Sequence, residues 1–156
     1  MKFEIESIGI VSASRTEAVD DFWGDKESII TLNQNYGNEA VQGLDSFSHV
    51  EVLFVFNKVK PETITTTARH PRNNTEWPKI GIFAQRGKNR PNRIGSTICK
   101  IVRLEAGKLI VSELDAIEGT PIIDLKPVMS EFMPREEIQQ PRWSTELMAN
   151  YWRKKD

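Results

Sequence analysis

The sequence contains one cysteine, two histidines and no apolar run approaching the roughly 18–20 residues that a membrane-spanning helix needs. A lone Cys99 cannot close an internal disulfide. With His49 and His70 far apart in the chain it also makes a poor zinc site, so no metal is expected. A reducing cytoplasm is the expected compartment. The opening residues MKFEIESIGI are acidic and alternating, without the basic start and apolar stretch of a signal peptide. No glycine-rich strand-to-helix turn of the Rossmann type is present, so the usual nucleotide-binding domain is not expected. Internal repeats are absent too, and no linker divides the chain in two.

What is present reads as one ordinary globular unit: 156 residues, 38% hydrophobic and 28% charged. The net charge of −1 conceals an uneven distribution. Arg69, Arg72, Lys79, Arg86, Lys88, Arg90, Arg93, Lys100 and Arg103 stand against a single acid, Glu76, so residues 69–103 carry +8 and the remainder −9. That asymmetry suits an anionic ligand on one surface. It equally suits a solvated basic loop balanced by acids elsewhere in the fold.

The pattern along the chain is that of a mainly β protein. Phe3, Ile5, Ile8 and Ile10 outline an opening strand with one irregularity, and Ile29, Ile30 and Leu32 a second. Residues 14–26 form a polar loop between them, ending in Asp20-Asp21-Phe22-Trp23-Gly24. Residues 35–44 have room for little more than a helical turn. Residues 49–56 (HVEVLFVF), β-branched and aromatic, predict a central, buried strand. Residues 61–78 read as loop, 79–84 as an alternating strand, and 87–95 as loop again. Residues 97–104 and 108–114 flank Glu105-Ala106-Gly107 as a hairpin. Gly119-Thr120-Pro121 turns into a further strand over 122–125. A short helix is expected from Ser144, which is placed to cap it, with Glu146 in the first turn. Six or seven short strands with little helix favour a barrel or a sandwich.

Three groups of residues carry chemistry. Five arginines fall within 25 residues, at 69, 72, 86, 90 and 93, interleaved with Pro, Gly and Asn. Guanidinium forks suit phosphate or carboxylate, and such contacts dominate nucleic-acid affinity. In 114–127 (LDAIEGTPIIDLKP) Asp124 and Lys126 share one strand face while Ile123 and Leu125 take the other. Asp115 stands at a strand end, where a carboxylate can meet a hydroxyl or amine. His49, at the start of the apolar strand, is a possible general base or a hydrogen-bonded structural residue. Cys99 reads as a core filler, and the four tryptophans show no periodicity.

The words IGIV, GLDSFSHVEVLFVF, ARHPR, GIFAQRGKNRPNRIG and LDAIEGTPIIDLKP, in this order over most of residues 8–127, resemble the TrmO family of tRNA methyltransferases. The resemblance implies a single small β-barrel over 1–130 with short helices and an extended tail over 131–156. It implies S-adenosyl-L-methionine as methyl donor, a homodimer, and methyl transfer to the exocyclic amine of threonylcarbamoyl-adenosine next to the tRNA anticodon. Carried over by position, donor contacts fall on Asp20, Asp21, Phe22, Asn57, Lys58, Arg86 and Ser96, and on Ser112, Glu113, Leu114 and Asp115. Arg69, Arg72, Lys88, Arg90 and Arg93 serve tRNA or the donor's carboxylate. Asp115, Asp124 and His49 are the candidates for the catalytic base. The chain departs from the better-known members at Gln85 (Thr there), at Arg93 (Pro there) and at Asn57-Lys58 (a His-Gln pair there), and the C-terminal domain of long members is not expected. A non-catalytic RNA-binding barrel and a methyltransferase acting on a small molecule stand as alternatives.

Overall fold

A computed structural model describes residues 1–155, and residue 156 of the expected tail lies outside the described residues. Six antiparallel strands close into a barrel: β1 (Gly9–Ala13), β2 (Glu27–Leu32), β3 (His49–Val55), β6 (Ile94–Glu105), β7 (Lys108–Ser112) and β8 (Pro121–Pro127). Around the wall they run β1-β2-β7-β6-β3-β8. Two short strands, β4 (Ala68–Arg69) and β5 (Ile80–Gly81), pair outside it. A barrel, rather than a sandwich, is what these residues form, and closure leaves no open edge in that sheet.

Alternation explains most of the wall. In β3, Val50, Val52 and Phe54 point inward and are buried, while His49, Glu51, Leu53 and Val55 line the outside. The strand is therefore central, between β6 and β8, but buried on one face only. From β6, Gly95, Thr97 and Cys99 point inward. Phe54 pairs with Gly95, and a Cβ there would lie 2.4 Å from its ring, so the ring can lie flat on the facing strand. Val11, Ile30, Leu109, Val111, Leu114, Ala116 and Ile122 complete the core with Cys99. Each large side chain buried this way contributes about 1.5–3 kcal/mol. The β6–β7 hairpin turns on Ala106 (φ 41°) and Gly107 (φ 78°), the left-handed pair that a two-residue turn requires.

Several expectations change. Residues 1–7 form no strand, because pairing of β1 with β2 and β8 begins at Gly9, and Phe3 and Ile5 are exposed. Residues 79–84 are strand only at Ile80–Gly81. The chain then curls into a 3₁₀ turn at Ile82–Ala84, where Gln85 Nε2 donates to the Arg69 and Ile80 carbonyls at 3.1 and 2.7 Å. A bulge on β8 puts Leu53 opposite Asp124 and Phe54 opposite Ile122, which skips Ile123. Ile122 is therefore the inward residue, with Leu125 packed against the same core. Asp124 and Lys126 do meet, as an exposed ion pair. The helix α1 (Arg142–Leu147) has Pro141 as its N-cap, so Ser144 lies inside it and its hydroxyl donates back to the Pro141 carbonyl at 2.7 Å.

Candidate functional site

The 14–26 loop has almost no regular structure, and Arg15 organises it. Its guanidinium donates to the carbonyls of Val19, Asp21 (2.8 Å) and Phe22 (3.3 Å) and lies 3.2 Å from the centroid of the Trp23 ring. Burial lowers the Arg15 pKa from its ordinary value, opposed by the nearby acids Glu17, Asp115 and Asp20. Among the described residues its buried Nε has no hydrogen-bond partner. From outside the loop, Arg72 grips Asp21 with both terminal nitrogens (2.9 and 2.8 Å) and reaches Asp20 at 3.8 Å. The Asp21 hydrogen bond raises the Arg72 pKa more than burial lowers it. Two guanidiniums thus hold the carbonyls and the carboxylates of one short loop.

The segment after β7 approaches the same place. Glu113 N–H donates to the Lys26 carbonyl (3.0 Å) and Glu118 N–H to that of Arg15 (3.0 Å). Leu114 and Ala116 are anchored in the core, which fixes Asp115 between them. One Asp115 oxygen accepts from the buried Thr97 hydroxyl on the inner face of β6. The other accepts from Tyr151 at 2.5 Å. Tyr151 lies on the C-terminal segment, which docks by four further contacts. Phe22 N–H donates to the Asn150 carbonyl (3.1 Å) and Trp23 N–H to that of Tyr151 (2.8 Å). Trp77 Nε1 donates to Glu146 (2.9 Å) and Lys154 pairs with Asp25. Phe22, Asp25, Arg72 and Glu113 all take left-handed backbone, with φ between 48° and 66°. Non-glycine residues in that region cost free energy and gather at functional sites. A cavity of about 510 Å³, within the usual range for small-molecule sites, opens between Arg15, Asp21, Phe22, Lys26 and Lys154.

The residues carried over for the donor divide. Asp21 and Phe22 line this cavity; Asp20 is linked to it through Arg72, Glu113 through Lys26 and Asp115 through Tyr151, while Leu114 is buried in the barrel core. Asn57 is exposed and tied to the far end of the 113–119 segment through its side-chain bond to the Gly119 carbonyl (3.3 Å). Lys58 is exposed beside it. Arg86 donates to the Ser96 carbonyl (2.5 Å), and its charge acts on Tyr151. The Ser96 hydroxyl turns to Glu51 (2.5 Å), on the face of β6 opposite Thr97. Ser112 borders a second depression, of about 370 Å³, with Glu27 and Lys100. Among the base candidates, Asp115 alone bonds into this cluster. His49 meets Ser48 at 2.8 Å and Asp124 meets Lys126, both on outward-facing side chains.

The basic segment is largely engaged with the fold. Arg90 donates to the Gln85 carbonyl (3.0 Å), Arg93 to that of Val59 (3.2 Å), and Arg72 to the acidic pair. Arg69 keeps a buried Nε without a hydrogen-bond partner among the described residues. Lys88 is exposed. Sequence reasoning missed Arg15, Thr97 and Tyr151. Arg15 and Tyr151 lie outside the motif words, and Thr97 reads as one more inward strand residue. Among the described residues no group of three or more His, Cys, Asp or Glu could hold a metal ion, and no helix is long and apolar enough to cross a membrane.

Residues 20–133 match the model of the tRNA-methyltransferase O N-terminal domain. The chain belongs to this family. Within it, the chain is 35% identical over 116 residues to the human tRNA (adenine(37)-N6)-methyltransferase, covering 74% of this chain but 26% of that protein. It is 33% identical over 132 residues to the "Probable S-adenosyl-L-methionine-binding protein" of Methanothermobacter thermautotrophicus, covering 81% of this chain and 90% of that one. A crystal structure of TrmO from Pseudomonas aeruginosa superposes with a TM-score of 0.66 at 27% identity, over 84% of this chain and 57% of that one. The chain thus spans about a quarter of the human relative's length. The match over residues 20–133 takes in both Asp20 and Asp115, while Arg15 and Tyr151 lie outside it.

Proposed function

We propose that this chain transfers a methyl group from S-adenosyl-L-methionine to the exocyclic amine of threonylcarbamoyl-adenosine in tRNA, at the position 37 named for the human relative. The observation that carries the reading is the convergence of the Asp20–Asp21–Phe22 loop and the Asp115 segment beside Arg15 and Arg72. The residues fit the donor chemically. Carboxylates suit its ammonium and ribose hydroxyls, guanidiniums suit its carboxylate, and half-buried Phe22 offers a face to its base. The buried, unpaired Nε of Arg15 is a donor still to be satisfied.

When bound, S-adenosyl-L-methionine supplies a methyl group on a sulfonium. This chain's part is to hold and align, since positioning and fixed charges supply most of the rate in such a displacement. Arg15 and Arg72 keep the 19–22 loop rigid. The acceptor amine must lose a proton during or after transfer. Asp115 is the candidate we assign to that role; in support, each of its oxygens accepts one hydroxyl and keeps a second lone pair. Lys88, exposed on the basic segment, is left to meet phosphate, whereas Arg86 is engaged with the Ser96 carbonyl. The cytoplasm as compartment and a homodimer belong to the same reading. A non-catalytic RNA-binding barrel has less support, because Arg72, Arg90 and Arg93 are engaged within the fold.

The test is methyl incorporation into tRNA with and without the threonylcarbamoyl group, alongside calorimetric titration of the donor. Donor-dependent methylation of the modified tRNA alone is expected. Absence of donor binding at millimolar concentration would overturn the cofactor assignment. Binding without methylation of either tRNA would overturn the substrate.

A further inference from the structure

Asp115 is held from two unrelated directions. Thr97 belongs to the barrel wall, whereas Tyr151 comes from the C-terminal segment, 36 residues beyond Asp115 in the chain. A tyrosine kept only for packing has no need of a directed hydroxyl, and burying that hydroxyl costs free energy unless it is paired. Here it is paired with a carboxylate oxygen, while the ring stands edge-on against Trp152 at 5.0 Å. The backbone on either side is fixed as well, by the bonds from Phe22 and Trp23 to the Asn150 and Tyr151 carbonyls. One residue therefore spans both halves of the site, with its side chain on Asp115 and its carbonyl on the 20–23 loop. Burial, followed by the charge and hydrogen bond of Asp115, raises the phenol pKa, so Tyr151 stays a neutral donor at physiological pH.

We propose that Tyr151 is a positioning residue of the methyl-donor site, acting through Asp115: with Thr97 it fixes which way the remaining acceptor lone pairs of that carboxylate point. This rests on the donor site proposed above. It makes the C-terminal segment, which lies beyond the 20–133 family match, a working part of the site. The residue touches no reacting atom in this role. It acts on the donor's affinity by orienting the group that binds it.

The experiment is calorimetric titration of S-adenosyl-L-methionine into the full chain and into Tyr151→Phe, Asp115→Asn and the double variant. Phenylalanine keeps the ring, so the thermal midpoint stays within a few degrees of the parent. The donor dissociation constant rises roughly tenfold, the scale of one lost hydrogen bond to a charged group. The double variant binds no more weakly than Asp115→Asn alone, because no carboxylate is left to orient. Parent-like binding by Tyr151→Phe, or losses that simply add, overturns the inference and leaves the donor site standing. A collapsed thermal midpoint in Tyr151→Phe assigns the hydroxyl to stability and also overturns it. If the parent chain binds no donor, the donor site falls and the inference with it.

Discussion

Gly24 lies where the C-terminal segment crosses the loop after Trp23, and its replacement by alanine isolates the effect of that crossing. Its φ is not in the left-handed region, so alanine is not excluded by backbone conformation. The obstacle is space. A Cβ at this position would lie 2.0 Å from the Trp152 carbonyl oxygen and 2.8 Å from its carbonyl carbon. Relief requires a shift of about 1 Å or more, and the obstructing atoms are backbone, so no side-chain rotation supplies it. The displacement breaks the bonds from Phe22 and Trp23 to the segment, at about 1 kcal/mol each, and the Tyr151–Asp115 bond, at about 1.5–3 kcal/mol. The docked segment should therefore lose about 3–5 kcal/mol, partly offset by the entropy it regains. Amide exchange at Phe22 and Trp23 reads this directly. Protection at both falls about a hundredfold in Gly24→Ala, while the amides of β3 and β6 hold theirs. Unchanged protection at Trp23 would refute the steric reasoning, and equal loss throughout the barrel would show that the segment does not open on its own.

Arg93→Pro should cost about 3 kcal/mol or more, read as a lowered urea midpoint. Arg93 has φ 54°, its N–H donates to the Arg90 carbonyl (3.0 Å), and its guanidinium donates to that of Val59 (3.2 Å). Proline permits none of these, so an unchanged midpoint would show that the left-handed turn is dispensable. The phenol of Tyr151 has a pKa raised above its unfolded value of about 10. The stability its hydroxyl contributes is therefore fully present below about pH 10 and is lost as pH rises through the higher folded value. The difference in phenolate absorbance between the parent and Tyr151→Phe should have its midpoint above pH 10. A midpoint at or below 10 would contradict the paired, buried hydroxyl.

The strands were legible because their signal is local, whereas the pattern left barrel and sandwich open and the family resemblance alone named the barrel. Val50, Val52 and Phe54 alternate with outward residues, and Ala106-Gly107 can do little but turn. Where local pattern misled, a tertiary effect had intervened. Phe3 and Ile5 alternate as a strand does, yet no partner strand extends far enough to receive them. The β8 bulge exchanges Ile122 for Ile123 with no mark in the sequence. The site was half visible. Asp115 lies in a motif word, and Asp20 to Phe22 were carried over by their position between words. Arg15, Thr97 and Tyr151 acquire their meaning only when residues far apart in the chain meet, and no spacing rule encodes a contact across 36 positions. Composition suited an open cationic face and a loop balanced by the fold equally, and four of the five guanidiniums of the arginine cluster grip backbone or acids of the fold.

Cys99 gives this molecule a reporter of its own. The only thiol of the chain sits inside the barrel with no exposed surface, near the carbonyls of Thr97 (3.7 Å) and Glu113 (3.9 Å). Burial pushes its pKa up, so little reactive thiolate exists in the closed state. A thiol reagent must wait for the wall between β6 and the 113–116 segment to part. The labelling rate then times the breathing of the wall that carries Asp115, without a single added residue.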